Sequence, residues 1–134
     1  MEWGRALAPS LDDITDIAET LFERLPETFR SLASDVTIRV QDFPEDEVLA
    51  SLEAETEYDL LGLFTGLPVG GRQGDIPPGL LPNMVFLYRR PILDFWAENE
   101  ETLEAVILHV LVHEIGHHFG LSDEDMERIE AEAG

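Results

Sequence analysis

The stretch that most constrains this chain is HEIGHHFGLSD, His113 to Asp123. It follows an apolar run in which Leu103, Val106, Ile107, Val110 and Leu111 recur at helical spacing. Ala105, Leu108 and Val112 widen that stripe until the segment is apolar nearly all round, so a buried central helix is expected over about 99–118. His109, His113, Glu114 and His117 are then polar groups inside an apolar element. Polar groups in a core need partners, and a metal ion is one way to supply them.

His113 and His117 stand four residues apart. Four helical steps turn about 400° and rise about 6 Å, so both imidazoles leave the same face and can share one ion. The chain has no cysteine. Any transition metal must therefore sit on imidazole and carboxylate, and zinc is the expected ion. Zinc needs a third ligand. Gly120 lets the chain leave the helix through a left-handed conformation, and Asp123 can then swing back toward the two histidines. The expected metal ligands are His113, His117 and Asp123, with Glu124 and Asp125 ranked below Asp123. Glu114 lies about 100° round the axis. That suits a general base acting on water beside the metal, or a group that orients a ligand in a structural site. His109 and His118 are expected as core or supporting groups. Tyr58, Tyr88, Arg89 and Arg90 are the candidates for stabilising an oxyanion.

Acidic residues outnumber basic ones by 29 to 8, and the net charge is −21. Such a surface repels phosphate backbones, so nucleic acid and anionic membrane are not expected partners. It would attract a cationic substrate, and it also serves solubility. The 134 residues suit one domain, 1–134, with one core. No apolar run is long enough to cross a membrane, and the opening MEWGRALAPSLDD does not read as a signal peptide. A cytoplasmic location is the expectation.

The remaining elements follow from pattern. Residues 10–25 read as an amphipathic helix opened by a Ser10–Asp13 capping pair, with a short helical turn through Phe29 and Leu32 after Pro26. Strands are expected at 36–41, with Val36, Ile38 and Val40 inward, at 58–65, with Gly62 as a bulge or close-approach point, and at 84–88. The last two are expected as antiparallel neighbours. A short acidic helix is expected over 45–54, and a final helix, capped by Ser122, over 123–132. The Gly- and Pro-rich segment 66–83 reads as a rim or lid of a site, or as a connector.

LLGLFTG (60–66), VFLYRRPI (85–92) and VHEIGHHFGLSDEDM (112–126) resemble the small bacterial zincin-like metallopeptidase family, and LPETF (25–29) also fits. The resemblance implies a minimal α+β zincin-like fold. In it a small mixed or antiparallel sheet of three to four strands packs on a buried active-site helix, with an N-terminal amphipathic helix and a short C-terminal one. The family motif maps onto His113, Glu114, His117, Gly120 and Asp123. It is similar to the metzincin signature, but Met126 lies only three residues past Asp123, where no Met-turn fits. The implied activity is zinc-dependent hydrolysis of a peptide or protein substrate, laid along an edge strand from 58–65 or 84–88. The alternative is a non-catalytic metal- or peptide-binding module with structural zinc.

Overall fold

The computed structural model describes residues 2–66 and 83–133. A short 3-10 turn, Glu2–Arg5, leads into α1 (Leu11–Arg24) and α2 (Glu27–Leu32). Strand β1 (Thr37–Gln41), helix α3 (Asp46–Ser51) and strand β2 (Gly62–Thr65) follow. Strand β3 (Met84–Tyr88) runs straight into α4 (Arg89–Glu98), and α5 (Leu103–His118) and α6 (Asp123–Ala133) complete the order. The Ser10–Asp13 box forms in full: Asp13 N–H donates to Ser10 Oγ and Ser10 N–H to Asp13 Oδ2. Of the segment 66–83, expected as a rim, lid or connector, residues 67–82 lie outside the described residues.

The sheet has three strands in the order β1-β3-β2, with β1 parallel to β3 and β2 antiparallel to it. It is a small mixed sheet packed on a buried helix, as expected. Three expectations need correction. The second strand is Gly62–Thr65 and does not reach back to residue 58. Asp59 is the cause: its carboxylate accepts from the Glu55 and Thr56 N–H groups and from the Thr56 hydroxyl, and its own N–H donates to the Thr56 carbonyl. These bonds hold a turn where the strand was expected to begin. Residues 84–88 pair on both sides, so they offer no edge to a peptide, whereas β2 pairs with β3 alone among the described residues. The third difference is α4. Arg89, Arg90 and Pro91 follow the expected strand 84–88, where no helix was expected, but they are its first turn, where a proline lacks no needed donor.

Helix α5 is the centre of the core. Val106, Ile107, Leu108, Val110, Leu111, Val112 and Ile115 are all buried, each side chain worth about 1.5–3 kcal/mol of apolar burial. Helix α1 covers one side of it through Ile14, Ala18 and Leu21, and Val85 and Leu87 of β3 belong to the same cluster. Thr102 caps its start by accepting from the Ala105 N–H. None of the described helices is long and apolar enough to cross a membrane.

Gly62 lets β2 lie directly across α5. A Cβ built there would stand 2.5 Å from Val110 Cγ1 and 3.4 Å from Glu114 Cγ. The close-approach reading of this glycine holds. Gly62→Ala should cost about 1–3 kcal/mol through overpacking, seen as a lower urea midpoint with an unchanged m-value. Parent-like stability would show that β2 does not press on α5.

Candidate metal centre and its cleft

The end of α5 is built by its own sequence. Gly120 has φ 76°, in the left-handed region. Its N–H donates to the His117 carbonyl, and the Leu121 N–H reaches back to the Gly116 carbonyl at 2.9 Å. This paired closure ends the helix and satisfies its last carbonyls. Two residues later Ser122 Oγ accepts from the Asp125 N–H and opens α6. The reversal therefore places Asp123 at the first position of the next helix.

What presses α6 against α5 is a glycine the sequence reading passed over. A Cβ on Gly116 would meet Met126 Sδ at 2.5 Å and Met126 Cγ at 2.9 Å. Met126 is fully buried in the main core. A flexible thioether fills the notch that the glycine leaves, and the two helices close on it. Met126 is thus a packing residue under the motif helix.

The junction brings the expected ligands together. His113, His117 and Asp123 each offer an atom within 4.8 Å of the others. His117 Nε2 stands 3.8 Å from Asp123 Oδ1, and their side chains are 59% and 84% exposed. This end of the site is open to solvent. The Asp123 carboxylate is largely in solvent, yet one of its oxygens stays within reach of His117. Neither Glu124 nor Asp125 joins a described cluster of possible ligands.

A second carboxylate also arrives, and the sequence reading missed it. Glu130 Oε1 lies 2.9 Å from His109 Nδ1 and 3.2 Å from His113 Nε2. Glu130 is seven residues past Asp123, about two helical turns, so both project from the same face of α6. That spacing was the available signal. His109, expected only as a supporting group, belongs to this second cluster. His118 does leave on another side, where it stacks on Phe64 with centroids 3.9 Å apart.

The electrostatics suit metal binding. Burial, helped by the neighbouring His109, lowers the His113 pKa, so the ring is held neutral with a lone pair to give. His113 Nε2 and Glu130 Oε1 are both buried, and neither makes a hydrogen bond of good geometry among the described residues. Buried donors and acceptors left so are costly. A cation would satisfy them, and the imidazole and carboxylate set fits zinc.

Glu114 stands beside these ligands on α5. Burial raises its pKa, while His117 and a backbone hydrogen bond from Phe64 of β2 act to lower it. It lines a cleft of about 630 Å³ together with His109, His113, His117, Gly62 and Phe95. Among the oxyanion candidates, Arg89 bonds the Pro9 carbonyl and Asp42. Arg90 lies over the Phe43 ring, and Tyr58 packs edge-on against the same ring. None of the three lines the cleft. Tyr88 is buried and its pKa is pushed up to about 12, first by burial and then by Glu45 and Glu114. It stays a protonated donor, and it too is absent from the cleft lining.

A sequence model of zincin-like metallopeptidases matches residues 33–133, from before β1 through α6. The chain belongs to the zincin-like metallopeptidase family. The fold is also similar to the solved structure of a conserved hypothetical protein from Thermus thermophilus. The TM-score is 0.52 at 23% identity, over 82% of this chain and 94% of that one. At that identity the likeness speaks for the fold alone. No curated protein sequence matches the chain. In this zincin-like chain α1 lies outside the family match, yet it buries one flank of the motif helix.

Two outcomes follow. Gly116→Ala should weaken zinc binding measured by calorimetry, although no ligand is changed, because the new Cβ pushes Met126, and α6 with it, away from α5. Unchanged affinity would separate the site from this contact. In the metal-free protein, folded Glu114 keeps its proton to higher pH than the unfolded chain does. Its contribution to stability is complete below the ordinary carboxyl value of 4.5 and is lost as pH rises toward the elevated folded value. The stability of the parent minus that of Glu114→Gln should therefore fall as pH rises above 4.5. A flat difference would place Glu114 in water.

Proposed function

We propose that this zincin-like protein hydrolyses peptide bonds with one zinc ion held by His113, His117 and Asp123. The observation that carries the reading is the convergence of those three groups, with His113 and His117 lining one cleft beside a half-buried carboxylate, Glu114, and Asp123 outside that lining. A bound zinc supplies Lewis acidity, which polarises a carbonyl and acidifies water. The rest is work for the chain. His113 and His117 present nitrogen lone pairs from successive turns of one face. Asp123 adds the negative charge that offsets the cation and leaves the exposed side of the cluster free for substrate.

Glu114 acts as the base. Its raised pKa brings it nearer neutrality, where a carboxylate can take a proton from water and later return it to the leaving amine. The Phe64 backbone favours the ionised form of Glu114. Strand β2 is one of the two edge strands of the described sheet, and it borders the cleft through Gly62. An extended substrate would add to β2 by backbone hydrogen bonds. The strongly acidic composition suits a cationic peptide or protein partner, and the cytoplasm is the proposed location.

A structural ion is the rival reading, favoured by one observation: Glu130 offers a second carboxylate to His113. One variant separates the two. Glu114→Gln should bind zinc as the parent does and lose hydrolysis of a mixed peptide library by about 10²–10⁴-fold. Undiminished cleavage, or loss of zinc on this change, would overturn the role given to Glu114. A parent protein that binds zinc and cleaves nothing would favour the structural ion.

A further inference from the structure

Helix α5 carries three histidines on one face, at 109, 113 and 117, each one turn from the next. Helix α6 sets a carboxylate beside each interval of that ladder. Asp123 faces the lower interval and Glu130 the upper one. The upper group has the features of a ligand set. Its three ligand atoms lie within 4.8 Å of one another. The 2.9 and 3.2 Å separations compare with the roughly 3.3 Å between neighbouring ligand atoms that zinc–ligand bonds of about 2.0–2.1 Å imply. Two of the three atoms, His113 Nε2 and Glu130 Oε1, are buried without a hydrogen bond among the described residues.

We propose that His109, His113 and Glu130 form a second metal position, for zinc or a similar borderline divalent ion, that competes with the lower one for His113. A neutral imidazole has one nitrogen free of hydrogen, so His113 serves one ion at a time. An ion in the upper position is displaced about one turn, roughly 6 Å, along α5. Glu114 falls inside the interval from His113 to His117 and outside the interval from His109 to His113. The upper position therefore holds its ion away from the base, as a store that is catalytically silent. The lower set comes from the functional reading above, but the upper set stands on its own contacts.

Zinc binding by calorimetry, with chelator-stripped protein, tests the proposal without using activity. His109, His117 and Asp123 are more than half exposed, so their replacement leaves the core alone. The parent should bind one ion. The pair His117→Ala with Asp123→Asn removes the lower set and should still bind one. Adding His109→Ala or Glu130→Gln to that pair should abolish the remaining binding, with the circular dichroism of the metal-free protein unchanged. No binding by the pair would overturn the second position, as would residual binding that survives both additions. Two ions on the parent would overturn the competition. The converse pair, His109→Ala with Glu130→Gln, reports on the lower set alone. If it binds nothing, the lower site fails whatever the upper one does.

Discussion

The contact between Met126 and Gly116 is what the site depends on. The motif helix supplies histidines and a base by itself, but a carboxylate ligand has to come from outside it. Only a second helix packed at close range can bring one, and a side chain at 116 would hold that helix off. Gly120 turns the chain back and Ser122 starts the new helix, so the direction of α6 is set within a few residues of the last histidine. Met126 then fixes its depth. Two local features of backbone and one buried thioether thus convert a helical ladder of imidazoles into a set of metal-binding groups.

The same helix is apolar on one side and carries the candidate site on the other. Its apolar residues fill the core against α1 and β3. Its polar residues gather where β2, α4 and α6 leave a cleft. Burial lowers the His113 pKa and raises that of Glu114. Both shifts disfavour charge, and both are useful. A neutral imidazole gives its lone pair to a cation. A carboxyl with a raised pKa is a stronger base toward water. Desolvation by the core would therefore be the source of the proposed reactivity, in a chain that is otherwise strongly acidic.

Much of this was legible in the sequence, for local reasons. The motif spacing, the capping pairs at Ser10 and Ser122, and the glycine exit at Gly120 are short-range signals, and each takes its expected form. The alternation of Val36, Ile38 and Val40 likewise marks a half-buried strand. What escaped was set by contacts distant in sequence or by competing local bonds. The Asp59 turn displaced the first half of β2 because side-chain bonds to backbone outcompeted a strand-like pattern. Helix α4 was hidden because it follows β3 with no loop and carries a proline in its first turn. Glu130 and Gly116 matter only once α6 lies on α5. The spacing of about two turns from Asp123 to Glu130 hinted at a shared face, but nothing local says which helix that face meets.

Delivery of a carboxylate from α6 to the His113 imidazole is the step on which metal binding turns. Crystals grown with zinc, measured at the zinc absorption edge, test this most directly. An anomalous peak should lie about 2.0–2.2 Å from a His113 nitrogen and from a carboxylate oxygen of Asp123 or Glu130. A zinc ion held by α5 alone, with neither α6 carboxylate within bonding distance, would contradict it.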